Sequence, residues 1–256
     1  MKKVLLLAAS IFILNINAQE RFARDNGTTI PLQKMNIIKT NVTAYVFKNI
    51  NLTYERSINK WFSINLGFGM VPEGKVPFLN NFLKDNDRKK FENLRVKASN
   101  FTLEPRFYIG QGYGKGFYFA PYYRYSKVTS NTFDFVYDYQ PITGVFYPIP
   151  LKGFGNTNGK SGGLMVGSQF FLNKSQNLIL DFWIAGAHYG SGKGIFDLTT
   201  EETLSPEMQA QLKKEIENLN IPFVRYSVQT NPHGAHIDIN GPWAGLRSGL
   251  SLGFRF

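Results

Sequence analysis

The sequence predicts an all-β chain: a transmembrane antiparallel up-and-down β-barrel of eight strands, with ten as the alternative count and a short helix in the last long loop. Three observations carry this expectation. Beyond residue 34 no apolar run reaches the roughly 20 residues that a spanning helix needs. In its place, segments of about ten residues alternate apolar with polar or small side chains, with short and long connections taking turns between them. Finally, 15% of the residues are aromatic, with 23 Phe, 13 Tyr and 3 Trp, an excess that has to be buried or lie against something apolar. A soluble sandwich would have strands nearer five or six residues.

Composition narrows the chemistry. The 256 residues include no Cys, which excludes disulfide scaffolds, Cys-ligated zinc, iron–sulfur clusters, thiol catalysis and an acylated-Cys anchor. An apolar share of 43% is too high for a disordered chain, and 24 Gly with 12 Pro are too few for a fibrous one. No cofactor is expected. Residues 1–18 read as a secretory signal peptide: Lys2 and Lys3, an apolar stretch over 4–14, and Ala18 before a cut that leaves Gln19 first. The stretch is too short to span a membrane. The expected organisation is a signal peptide over 1–18, a periplasmic segment over 19–34, and a barrel over 35–256. With 29 Lys and Arg against 18 Asp and Glu, an exported chain meets anionic lipid or lipopolysaccharide phosphate rather than nucleic acid.

Each strand follows from its own alternation. The first, within 36–47, is the least regular and is placed by elimination. Over 49–58, Ile50, Leu52 and Tyr54 alternate with Asn51, Thr53 and Glu55. The turn at Asn59 and Lys60 leads to 61–70, where Phe62, Ile64, Leu66 and Phe68 oppose Ser63, Asn65, Gly67 and Gly69. Strand 99–109 sets Phe101, Leu103, Pro105 and Phe107 against Asn100, Thr102, Glu104, Arg106 and Tyr108. The Gly-rich turn 110–116 joins it to 117–127, with Phe117, Phe119, Pro121 and Tyr123 against Tyr118, Ala120, Tyr122 and Arg124. Strand 163–173 turns Leu164, Val166, Phe170 and Leu172 outward and Gly163, Gly167 and Gln169 inward. After the turn 174–177, strand 178–189 sets Leu178, Leu180, Phe182 and Ile184 against Asp181, Trp183 and Ala185. The last strand, 244–256, alternates Leu246, Leu250, Leu252, Phe254 and Phe256 with Gly245, Arg247, Gly249, Ser251, Gly253 and Arg255. Pro105 and Pro121 lack the N–H that a ladder needs, so a local bulge is expected at each.

The short turns all fall on one side. Long connections at 71–97, 128–160 and 190–243, and a very short one near Lys48, fall on the other. An even strand count puts both termini on the short-turn side, the periplasm in such barrels. The aromatic stretch in 128–160 is hairpin-like around 140–144. Its two strands either rise above the membrane or cross it, and crossing would make ten strands.

The segments NLTYERSINKWFSINLGFG, FTLEPRFYIG and FYFAPYYRYS and the terminal GLSLGFRF resemble small outer-membrane barrel families of Bacteroidota, OmpA/OmpX-like eight-stranded barrels of mostly unassigned function. The resemblance covers most of 36–256 outside the long loops, and it implies a fold and a compartment rather than an activity. The ending on Phe254 and Phe256 is similar to the C-terminal signal read by the outer-membrane barrel assembly machinery.

The inward positions hold Glu55, Glu104, Arg106, Arg124, Asp181, Arg247 and Arg255, with Lys39 as a further base. Arginine forks pair bidentately with carboxylates, and eight strands leave an interior just wide enough for side chains. A lumen closed by an ionic network is therefore expected. In the loops, Lys84, Arg88, Lys89 and Lys90 lie on a short helix expected over 80–93 and are candidate contacts for lipid phosphate. A second helix is expected over 205–219, capped by Ser205 with Pro206 in its first turn. Its polar centre places it exposed on the loop or across the barrel mouth. His233, His236 and Asp238 are too sparse a ligand set for a metal site, and none is expected. A lipid A-modifying enzyme would need His188, Ser191 and Asp197 or Glu201 as a triad. Their spacing differs from the deacylase pattern, where His and Ser are two apart. The expected function is non-enzymatic: an outer-membrane barrel with a plugged polar lumen, structural or surface-binding through its external loops, in contact with lipid and lipopolysaccharide. A narrow porin-like channel for small solutes is the first alternative, and the lipid A enzyme is the second.

Overall fold

The computed structural model describes residues 33–75, 93–110, 112–142, 144–218 and 225–256. The signal over 1–18, most of 19–34, the cluster Lys84, Arg88, Lys89 and Lys90, and nearly all of the helix expected over 80–93 lie outside the described residues.

Residues Asn36–Phe256 form one unit. Among the described residues it contains the strands β1 (Asn36–Asn41), β2 (Ile50–Ser57), β3 (Phe62–Lys75), β4 (Arg95–Ile109), β5 (Gly116–Ser130), β6 (Phe133–Ile142), β7 (Val145–Phe171), β8 (Leu178–Thr199), β9 (Arg225–Asn231), β10 (Gly234–Pro242) and β11 (Gly245–Arg255), and one α-helix, α1 (Pro206–Glu217). Eight strands close a ring in the order β1-β2-β3-β4-β5-β7-β8-β11, every neighbouring pair antiparallel. The ring shuts where β1 meets β11, with Ile37 opposite Arg255, so no barrel strand is left with a free edge. The ten-strand alternative is not adopted.

The alternation sorts side chains as a closed sheet requires. Leu52, Phe68, Phe117 and Leu164 point outward and are 57, 54, 56 and 64% exposed. Glu55, Glu104, Arg106 and Asp181 point inward and are fully buried. Asparagines set the tight turns. The Asn59 side chain accepts the N–H groups of Trp61 and Phe62, both at 2.9 Å, and that of Asn173 accepts Asn177 and Leu178. The first strand stops at Asn41, whose Oδ1 accepts from Thr43 Oγ1 at 2.7 Å and from the Ala44 N–H at 3.0 Å. This starts the 3-10 turn Thr43–Phe47.

Two sequence expectations fail locally. No bulge forms at the prolines. Leu103 opposes Tyr123 and Phe107 opposes Phe119 in one unbroken register, which sets Pro105 opposite Pro121. Two missing N–H groups thus share one rung of the β4–β5 ladder, while β4 keeps its pairing with β3 and β5 with β7. Bulges lie instead in β3, between Val71 and Gly74, and in β8, where Ala185 pairs with Val166 but Trp183 pairs with Gly167. The extra residue, Ile184, turns Ala185 outward and exposed, not inward as simple alternation has it.

The regions 128–160 and 190–243 are not loops. β7 has 27 residues and β8 has 22, about twice the 9–11 that a tilted membrane strand uses. Their excess continues past the ring as a five-stranded sheet in the order β6-β7-β8-β10-β9. β6 resumes the line of β5 along β7, and β10 and β11 occupy successive stretches of the same edge of β8. Helix α1 covers this extension. Ser205 caps it by accepting the Met208 N–H, and Met208, Leu212 and Ile216, spaced four apart on one helix face, pack on Tyr137, Ile149, Leu151, Leu198, Val228 and Ile237. The helix is therefore a structural half of a small core, contrary to its expected exposure. Its polar residues had masked that three-residue stripe.

Candidate functional site

Every strand of the ring sends a side chain with at most 2% exposure into one cross-section of the lumen: Lys39, Glu55, Asn65, Arg106, Tyr118, Gln169, Asp181 and Ser251. Lys39 sits at the centre. Its Nζ donates to Glu55 at 2.5 Å, Gln169 Oε1 at 2.7 Å and Asp181 at 2.7 Å. Arg106 adds Asp181 at 2.7 Å, Glu55 at 3.3 Å and, through Nε, Glu104 at 2.7 Å. Its Nη2 lies 2.6 Å from the same Glu104 oxygen, but off the axis a hydrogen bond requires. The guanidinium stacks 4.3 Å from the Tyr118 ring centre.

The remaining carboxylate oxygens also have donors. Ser63 and Tyr108 donate to Glu55 at 2.6 and 2.7 Å. Tyr118 and Trp183 Nε1 donate to Asp181 at 2.8 and 3.1 Å. Arg247 reaches Glu104 at 3.2 Å and stacks between Tyr122 and Trp183. Three acids thus face Lys39, Arg106 and Arg247, and the network is neutral. A buried charge needs such complete pairing, because removing it from water costs several kcal/mol per ion. Carboxylates held this way have no free oxygen to offer a substrate.

Two of the arginines expected in the network stand apart from it. Arg255 lies at the terminal end, 4.6 Å from the Phe171 ring centre, and donates to Gln176 Oε1 and the Tyr113 carbonyl, both at 3.4 Å. Arg124 lies above, and among the described residues no acid approaches it within ion-pair distance. There a cavity of about 60 Å3 is lined by Asn41, Asn49, Asn51, Asn65 and Asn100 together with Arg124, Arg247 and Trp183. Lys39 came from the least regular strand, and inward parity was the signal that could find it, as it could Tyr108, Tyr118 and Ser63.

His188 and Ser191 lie on opposite faces of β8. His188 bonds Tyr122 at 3.0 Å on the inner side, whereas Ser191 is exposed on the outer side, so the two cannot form a nucleophile–base pair. Asp197 instead holds His236, whose Nδ1 is 2.5 Å away, with Asp238 3.7 Å from Nε2. The hydrogen bond to Asp197 raises the His236 pKa above its usual 6.5. Phe254 is half exposed on the outer face, and the backbone of Phe256 pairs with Asn36. The sequence matches no model of a known protein family and no curated protein.

Proposed function

We propose that this chain is an exported integral outer-membrane barrel whose lumen does not conduct, and that it works without chemistry of its own by presenting its sheet-and-helix extension at the cell surface. The observation that carries this reading is a reversal within single strands. In the barrel half of β7 the outward residues are Leu164, Val166 and Phe170. In the extension half, over 152–160, they are Lys152, Phe154, Asn156, Asn158 and Lys160, four polar to one apolar, while Ile149 and Leu151 turn inward. A strand that is apolar outside over one length and apolar inside over the next is matched to hydrocarbon first and water afterwards. The fully buried ionic cross-section supports closure. The ending on Phe254 and Phe256 supports insertion by the barrel assembly machinery, with lipid and lipopolysaccharide as the lateral neighbours. The resemblance to small Bacteroidota barrels agrees with this compartment.

The test is conductance of the mature chain, refolded and inserted into a planar bilayer. Insertion with a silent bilayer is the expected result. Steady single-channel openings by the unmodified protein would overturn the plug and put the narrow-channel reading first.

A further inference from the structure

We propose that the cavity above the plug is a binding site for a small oxyanion bearing a hydroxyl, of which inorganic phosphate is the simplest. The proposal rests on lumen geometry and does not need the membrane assignment. Four observations meet at this cavity. The network below is charge-balanced by Lys39, Arg106 and Arg247 against Glu55, Glu104 and Asp181, which leaves Arg124 as a surplus cation facing the cavity. Arg247 lines the same wall with one Nη engaged, so two forks are available to anionic oxygens. On the same lining, Asn49 and Asn65 each hold a buried Oδ1 with no hydrogen-bond partner among the described residues, and Asn65 is only 2% exposed. A buried acceptor left unpaired is costly, and the hydroxyl of a protonated phosphate supplies the missing donor. Last, about 60 Å3 is the share of about two water molecules in the liquid. That space admits a group the size of one phosphate.

Anion binding is assayed on the full barrel, refolded in a zwitterionic detergent free of phosphate, by following tryptophan fluorescence, since Trp183 lines the cavity. Inorganic phosphate is expected to give a saturable change, and sulfate, which has no hydroxyl at neutral pH, a weaker one. Arg124→Gln is expected to weaken phosphate by about tenfold or more, as for the loss of a charged hydrogen bond. Arg255→Gln, at the other end of the lumen, leaves it unchanged. Gly67→Val provides an independent check if the Arg124 variant does not fold. A Cβ at Gly67 meets nothing closer than 3.5 Å, so the side chain fills the cavity and is expected to abolish binding. Vesicles containing lipopolysaccharide separate the sources: competition with added phosphate assigns the site to a phosphate carried on glycolipid, and its absence assigns it to a free solute. No saturable response from the unmodified protein, or equal affinity in Arg124→Gln and Gly67→Val, would overturn the proposal.

Discussion

Along β7 the inner face changes character near Gly159. On the barrel side it looks onto Lys39, Arg106 and three carboxylates. On the extension side it looks onto Leu198, Leu212 and Ile216. One region puts charge inside and oil outside, and the other does the reverse, within one hydrogen-bonded ladder. Burial is therefore not a synonym for apolarity. The two cores also fail differently. A paired ionic core is strongly destabilised when one partner is removed, whereas an apolar core loses stability in proportion to the cavity created.

The largest effect is expected in the lumen. Arg106→Ala leaves Glu55, Glu104 and Asp181 facing Lys39 and Arg247, at a cost of about 3–5 kcal/mol, seen as a lowered urea midpoint for the barrel refolded in lipid. A cost under about 1 kcal/mol would mean that water enters the network and that the contrast between the two cores is overstated. Next is the extension. Leu212→Ala is expected to cost about 2–5 kcal/mol but to act locally: limited proteolysis should cut within 190–243 while the barrel stays folded. Co-operative loss of the barrel in this variant would show that the two cores unfold as one.

The smallest effect lies on the outer face of the extension. Asp197→Ala removes the principal partner of His236, so its imidazole should titrate at lower pH by NMR. Because the folded pKa is raised, the stabilisation is complete below about 6.5, the usual histidine value, and fades as pH rises through the raised value. The advantage of the unmodified protein over Asp197→Ala should therefore shrink as pH rises past the usual histidine value of 6.5. The side chain is 41% exposed, which keeps the effect small.

Alternation alone is enough to place Glu55, Glu104, Arg106 and Asp181 on one face, because a closed sheet leaves each residue two choices. It says nothing about height around a sheared barrel, which is why Arg124 and Arg255 read as members of a network that neither touches. The 128–160 hairpin was legible as two strands that could rise past the ring, as β6 and the start of β7 do; that β7 and β8 run on unbroken was illegible for a different reason. Gly155, Gly159 and Gly162 look like turn residues, yet they lie in the middle of a continuous strand. The hydrogens of Gly155 and Gly159, like that of Gly163, make room for other side chains. A Cβ on Gly159 would meet the Trp243 ring at 2.1 Å, and one on Gly163 would meet Tyr122 at 2.7 Å. Glycine here answers a demand made from across the sheet, and local sequence does not record who makes it. Similarly, the Met208, Leu212 and Ile216 stripe means core only once a sheet is known to face it.

That unbroken passage of β7 and β8 from ring to extension has a mechanical corollary. No linker joins the two halves, and the ladder from Phe171–Ile179 to Lys152–Thr199 runs through both. A tether gripping the extension would load these strands along their length, so that many backbone hydrogen bonds share the strain in shear instead of parting one after another. On the function proposed above, the barrel is the anchor of a stiff post, and pulling on the tip draws directly on the wall that surrounds the charges below.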